Sequence, residues 1–506
     1  MLTVETTYRA PRPTQLRFAA AAVALLGAVS LTQVLPPVVS AASGPADNSV
    51  VSLLDTLTPH ELVVADGITR TTYSSTTENR VVRVVVLDPD RGALSLGSTV
   101  GRSVSEKERT TGMLATVGPT SRDRPYVGVN GGFSMAHKGQ DADHDLIAEE
   151  RSVATGVSVQ GDVVQGASCT DAGESVVLQH GRAHITQVAT ELSLTSSDGA
   201  GREIDGVNRY AGWLGACRQG ADDRVIPHRT DAAGKPVLDA AGKRTYLDEF
   251  GRDIEHNRYY YEDDSEIVVF TSAYGDTTPA AAHSTWVTAD NAPGVEVAVD
   301  ARGVVVAVDS VLGGMAVPPG GKVFQGIGNQ VPGAVDPRLG RVDASGGGER
   351  WLREHATLGT TLTYTQRAKD VRFDEELPLD PAYPSIDVVN GTYLLLRNGK
   401  PQVEPGANAI TDPRTAIGTD GWGRTLLVTV TAGTRAAPLR DGLGMADLAA
   451  VMQDLGAIDA LNLDGGGSTT FVVDGTVRNV LSDATGERPV YDSVYGGLGG
   501  YGLPAP

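Results

Sequence analysis

The strongest constraint on this chain is a recurring local pattern, in which two short β-type runs are joined by a residue-plus-glycine turn. Gln160-Gly161 sits between VSV and VVQ, and His180-Gly181 between VVL and AHI. Asn398-Gly399 sits between LLLR and KPQV, and Asp474-Gly475 between TTFVV and TVRNV. A fifth candidate, EVAVD-ARG-VVVAVD, spans residues 296–309. Two-residue hairpin turns demand positive φ at their central positions, which Asn, Asp and Gly tolerate best, so these dipeptides predict hairpins. The repeats share no common sequence period, which argues against a solenoid or propeller. With 61 glycines and only 5% aromatic residues, tight turns are favoured over long helical bundles. The expectation is an α+β, β-rich single module with a mixed sheet, several hairpins, few helices and one polar insertion.

One helix is legible. In GMADLAAVMQDLG (444–456), Met445, Leu448, Met452 and Leu455 fall on one face, and Gly456 supplies a C-terminal stop. It leads into the short apolar strand IDALNL and then into Asp464-Gly465-Gly466-Gly467-Ser468-Thr469-Thr470.

Organisation along the 506 residues follows from composition. Arg9, Arg12 and Arg17 precede an apolar stretch from Phe18 to Leu31, followed by Pro36-Pro37 and the small residues Ser40-Ala41-Ala42. A basic start, a short apolar run and a small-residue cleavage site predict a secretory signal peptide over 1–41. The apolar run is shorter than the ~20 residues a membrane span needs. Residues 42–59 read as a flexible leader and 60–500 as one module. Within it, 218–264 is a polar, Asp/Gly-rich insertion holding the run Tyr259-Tyr260-Tyr261. In a secreted protein, an isolated pair of cysteines, Cys169 and Cys217, predicts one disulfide rather than a metal site. A formal net charge of −20 argues against nucleic acid as a partner, so any phosphate must be met by local arginines or backbone amides.

Four stretches carry candidate chemistry. The three glycines after Asp464 allow close backbone approach, so amides of Gly465, Gly466 and Gly467 could face an anion, with Ser468 and Thr469 adding hydroxyls. Asp464 would be an acceptor or general acid/base at a strand end. The run is not a Walker loop, because it lacks Gly-Lys-Ser/Thr and an immediate helix. Asp412-Pro413-Arg414 brings an arginine into a strand, where its fork suits bidentate phosphate binding. Val129-Asn130-Gly131-Gly132-Phe133 ends a strand with a carboxamide and two glycines, and Glu487-Arg488-Pro489-Val490 adds a charged pair.

Together these stretches resemble the phosphodiester glycosidases of the uncovering-enzyme type, most clearly across 412–498 in DPRTAIGTDGWGRTLLVTV, LNLDGGGSTTFVVDGTVRNV and ERPV. VGVNGGFSM fits the family's Asn-Gly-Gly-Phe block, though Ser134-Met135 stand where an aromatic usually follows. Asp387 to Thr392 replace a usual run of glycines, and the 218–264 insertion is extra. The resemblance implies hydrolysis of a sugar-1-phosphodiester, such as a GlcNAc-1-phosphodiester, at the anomeric carbon, with no cofactor. It implies Asp464, Arg414 and Asn130 as catalytic residues. Gly131, the Gly465–Thr469 turn, Arg488 and Glu487 would contact substrate, and Glu487 or Asp412 would be the second carboxylate. The alternatives are a metal-dependent phosphodiesterase and a non-catalytic envelope glycan-binding module. For the first, His137, Asp141, Asp143, His144 and Asp145 are the nearest metal-ligand cluster. That run lacks the glycine and glutamate of a calcium loop and reads better as a solvated acidic loop, so no metal is expected.

Overall fold

A computed structural model describes residues 53–498 except 76–78, 93, 118–124, 141–145, 168–171, 212–223, 226–245, 248–252, 255–260, 263–264, 280–281, 284–286, 289–292, 329–333, 336–341, 344–346, 383–384 and 435–441. The expected signal peptide, most of the leader, Cys169, Cys217, the acidic residues Asp141 to Asp145 and most of the 218–264 insertion lie outside the described residues. No described helix is long and apolar enough to cross a membrane.

The expected hairpins form. Val157–Gln160 pairs with Val163–Ala167, Gly173–Gln179 with Arg182–Ser196, and Phe471–Val473 with Thr476–Val477, all antiparallel. At three of the turns, both central residues have positive φ: His180 and Gly181, Asn398 and Gly399, Asp474 and Gly475. That is the conformation the dipeptides select. In the first hairpin the positive pair is Gly161-Asp162, one residue later than the dipeptide suggests.

Three sheets organise the protein. An eight-stranded sheet places Thr425–Ala432, Arg414–Asp420 and Ala457–Asn462 side by side at its centre. A five-stranded sheet sets Pro125–Asn130 between Phe471–Val473 and Ser493–Leu498. A thirteen-stranded sheet carries Ile386–Asn390 between Val157–Gln160 and Gly173–Gln179. A parallel pairing of Gly206–Val207 with Ile267–Phe270 makes this largest sheet mixed. The protein is thus β-rich, with three α-helices among the described residues: Thr110–Thr116, Gly348–His355 and Met445–Asp454.

The last of these is the helix legible in the sequence. Met445, Leu448, Ala449, Val451 and Met452 are buried, and Gly456 takes φ +85° just past its end. It packs on the eight-stranded sheet through Ala416, Val428, Val430 and Ala460. The strand that follows is less uniformly buried than its sequence suggests, because Ile458 faces solvent.

All three sheets share one apolar core. Ile417, Leu427 and Leu461 meet Val127, Val129, Phe471 and Val494 from the second sheet and Val176, Leu178 and Val389 from the third. Each such side chain contributes about 1.5–3 kcal/mol on full burial, so the core clamps the sheets together firmly. The consequence lies at one rim. Asn130 and Asn390 end their strands there, Arg414 and Ser493 begin theirs, and Asn462 ends the strand leading to Asp464.

Candidate active site

Asp464 follows the Ala457–Asn462 strand, and the chain then makes one short 3-10 turn over Gly466–Ser468. Gly466 adopts φ +61°, open to glycine at little cost. The turn consumes its own amides. Ser468 N–H donates to Gly465 O, Thr469 N–H to Gly466 O, and Gly466 N–H to Pro413 O, at 3.1, 3.3 and 2.8 Å. Gly465 N–H donates to Asp464 Oδ1 at 2.8 Å. Of the three glycine amides that the sequence offers to an external anion, those of Gly465 and Gly466 are therefore spent, one on the Asp464 carboxyl and one on the Pro413 carbonyl.

Asp464 keeps part of its surface open, yet protein surrounds the carboxyl closely enough that burial raises its pKa above the usual carboxylate range. The Ser468 hydroxyl, the Gly465 amide and the charges of Arg488 and Lys107 oppose that rise. A carboxyl raised in this way holds its proton more readily than an exposed one and is suited to acid/base work.

Arg414 lies at the other side of the turn. Its side chain is only 6% exposed, and Nε donates to Leu443 O at 2.7 Å. Nη2 donates to Ile410 O at 2.7 Å and to Asn408 Oδ1 at 3.4 Å. Nη1 finds no protein acceptor among the described residues; it faces Gly465, where an added Cβ would lie 3.7 Å from it. No carboxylate among the described residues forms an ion pair with this guanidinium. Desolvation accordingly lowers its pKa, opposed by the charge of Asp412. A buried cation braced by carbonyls, with one edge unused, has the charge and the geometry to bind an anion.

Asn130 joins the two. Its Nδ2 donates to Asp464 O at 2.7 Å, while Oδ1 accepts from Thr415 Oγ1 at 2.7 Å and from Thr470 N at 3.2 Å. The carboxamide is fully buried, so it acts here as a strut between the strand of Arg414 and the turn of Asp464. Gly131 O accepts from Asp464 N at 3.0 Å, adding a second link.

The structure brings Asp464, Arg414, Asn130, Gly131 and the Gly465–Thr469 turn together. Arg488 is close by: a Cβ on Gly467 would overlap its guanidinium, and its charge reaches Asp464. Its Nε and Nη2 bind Asp483 Oδ2 and Oδ1 at 2.7 and 2.8 Å, which raises its pKa. Glu487 is engaged elsewhere, with Oε1 accepting from Thr111 N at 2.8 Å and Oε2 from Thr111 Oγ1 at 2.7 Å. It anchors the first turn of helix Thr110–Thr116, where a negative charge is favourable. Asp412 stands beside Arg414 on the approach to its strand, and its carbonyl accepts from Leu443 N at 3.0 Å.

The carboxylate that sequence reasoning missed is Asp492. It is fully buried; its Oδ1 accepts from Gly132 N at 2.7 Å, its backbone oxygen from Gly131 N at 2.8 Å, and Asp464 is among the charges acting on it. Its one sequence signal was its place four residues after Arg488, at the entry of the last strand. Asn390 was missed too, although its Oδ1 accepts from Phe133 N at 3.0 Å and holds the Asn-Gly-Gly-Phe segment from the far side.

Part of this site lies in a segment that is similar to known proteins. Residues 294–495 match the model of the phosphodiester glycosidase family. The N-acetylglucosamine-1-phosphodiester alpha-N-acetylglucosaminidase of Mus musculus is 31% identical over 125 residues, which are 22% of this chain and 23% of that protein. The Homo sapiens enzyme of the same name is 29% identical over 162 residues, 28% of this chain and 29% of that one. The chain thus spans between about a quarter and a third of the length of these curated relatives. Two solved structures share the fold. A putative exported protein of Burkholderia pseudomallei has a TM-score of 0.59 at 24% identity, covering 82% of this chain and 73% of that one. A hypothetical protein from Synechocystis has a TM-score of 0.52 at 17% identity, with 85% and 62% covered. Arg414, Asp464 and Asp492 all fall inside residues 294–495, the segment that matches the phosphodiester glycosidase family model.

Proposed function

We propose that this protein is an exported hydrolase that cleaves the glycosidic C–O bond of a sugar-1-phosphodiester, releasing the sugar and leaving a phosphomonoester on the other partner. The observation that carries the reading is the buried Arg414 guanidinium, without an ion-pair partner among the described residues, packed against the turn that holds Asp464. In this reading a phosphate oxygen takes the unused Nη1 edge, and Arg488 adds charge from across the turn. Asn130 holds the turn in register through the Asp464 carbonyl. Ile410 and Tyr393 are both exposed. The first lends its carbonyl to Arg414 and the second is near enough to act on the guanidinium's charge, so in this reading they border the place of the sugar.

Water attacks the anomeric carbon and passes a proton to Asp464, while the C–O pair of electrons leaves with the phosphate. That leaving group has a second pKa near ~6 and needs little protonation. The fixed positive charge of Arg414 stabilises it as the bond breaks, without reorganisation. Export is supported by the basic and apolar run at the N-terminus.

The test is hydrolysis of GlcNAc-1-phosphodiester in oxygen-18 water, with and without EDTA. Label in the sugar and activity in EDTA support the glycosidase reading. Label in the phosphate would replace it with phosphodiesterase chemistry, and no turnover of any sugar-1-phosphodiester would leave a binding module.

A further inference from the structure

We propose that Asp492 is a positioning residue, a buried carboxylic acid kept neutral so that it can pin the Gly131–Gly132 turn under Asp464. The role in turnover rests on the hydrolase reading above; the neutral state of the acid does not.

The geometry is a relay of short contacts. Asp492 grips two successive amides, Gly131 N–H through its backbone oxygen at 2.8 Å and Gly132 N–H through Oδ1 at 2.7 Å. Gly131 O in turn accepts from Asp464 N at 3.0 Å. A Cβ on Gly131 would overlap Asp492 Oδ1, so the approach requires glycine at that position. Asp492 and Gly132 are 360 residues apart in sequence, and the register of Asn130 with Ser493 brings them face to face.

The other oxygen decides the protonation state. Oδ2 is sealed from solvent and has no hydrogen-bond partner among the described residues. An ionised carboxylate wants about four hydrogen bonds. Here its side chain receives one, from a neutral amide. A buried charge so poorly served costs far more than the neutral acid, whose Oδ1 still accepts from Gly132.

The charges around it point the same way. Asp464 faces it from the glycine turn and raises its pKa further. Tyr491, on its own segment, is a deeply buried phenol whose pKa is pushed up by burial and by the Asp492 charge. Asn390, from the Ile386–Asn390 strand, is uncharged, and from the helix side the Ser493 hydroxyl meets the Thr110 hydroxyl at 3.3 Å. The cations nearby, Arg488 and Lys107, act on Asp464. Burial lifts the Asp492 pKa to about 7.

As pH rises through that value, a second negative charge forms beside Asp464 with a single amide to hold it. The turn that positions Asp464 loosens and turnover falls. Asp492→Asn keeps the acceptor, stays neutral at every pH and cannot ionise. The experiment is kcat against pH for wild type and Asp492→Asn on a sugar-1-phosphodiester. Wild type should show a falling limb near pH 7, and the variant should move that limb up by a pH unit or more. An unmoved limb overturns the proposal.

A substrate-free readout separates this from the function itself. A carboxyl with a raised folded pKa binds its proton in the native state where the unfolded chain has released it. Its stabilisation is therefore present at low pH and lost as pH rises from ~4 to about 7. The thermal midpoint of wild type relative to Asp492→Asn should drop across that window; a constant difference overturns the proposal even if no substrate is found. Should Asp492→Asn fail to fold, the carboxylic-acid infrared band of a protein carrying both Asp464→Asn and Asp205→Asn decides, because burial also lifts the Asp205 pKa to about 7. A band lost between pH 6 and 8 supports a neutral Asp492, and its absence at pH 6 refutes it.

Discussion

Replacing Arg414 separates a phosphate ligand from a structural cation. The wild-type guanidinium gives hydrogen bonds to two backbone carbonyls, Leu443 O and Ile410 O, both at 2.7 Å. Arg414→Ala orphans both, at ~1–3 kcal/mol each where they stay dry. Against that cost, the substitution removes a desolvated charge with no carboxylate partner, which is itself unfavourable. The two effects offset, so the thermal midpoint should move by only a few degrees. Activity should not escape so lightly. Losing a charge-assisted donor to charge that develops in the transition state costs ~3–4 kcal/mol, or 10²–10³ in kcat. Arg414→Lys keeps the charge, but a single ammonium cannot brace both carbonyls and present an edge to phosphate, so it should fall between wild type and Ala. The assay is kcat and KM for sugar-1-phosphodiester release beside a thermal melt. A folded Arg414→Ala protein with near-normal kcat refutes the role, and so does a loss confined to KM, because transition-state contacts appear in kcat.

Asp464→Asn should fold normally, since Asn Oδ1 can still accept from Gly465 N–H, and should lose 10²-fold or more in kcat at neutral pH; retained turnover would remove Asp464 from proton transfer. Gly467→Ala should push the Arg488 guanidinium away and cut kcat/KM about tenfold, with little change in melting because an exposed Arg–Asp pair contributes ~0–1 kcal/mol. Glu487→Gln should weaken the start of helix Thr110–Thr116, costing ~0.5–2 kcal/mol by calorimetry while kcat holds; a selective collapse of kcat would return Glu487 to the chemistry. Thiol titration of the unfolded, unreduced protein should find no free thiol at Cys169 and Cys217, and two reactive thiols would contradict the disulfide expected from the sequence.

What the sequence determined by itself is local or carried by motif. The turns at His180-Gly181, Asn398-Gly399 and Asp474-Gly475 follow from which residues accept positive φ, and the helix Met445–Asp454 follows from apolar spacing closed by a glycine. The stretches around Arg414 and Asp464 stood out for the same kind of reason, as short strings whose composition is itself unusual. Partners were the tertiary structure's to assign. Asn130 carried the right functional groups, but its oxygen and nitrogen turned out to bind Thr415, Thr470 and the Asp464 backbone. Glu487 looked as available as any carboxylate until its oxygens met Thr111 across 376 residues of chain. The place of Asp492 four residues after Arg488 said nothing of its charge state, because that state is set by how much water and how many donors reach the carboxyl. Those quantities exist only after sheet register has brought the start of the last strand against Gly132, and no spacing rule along the chain encodes them.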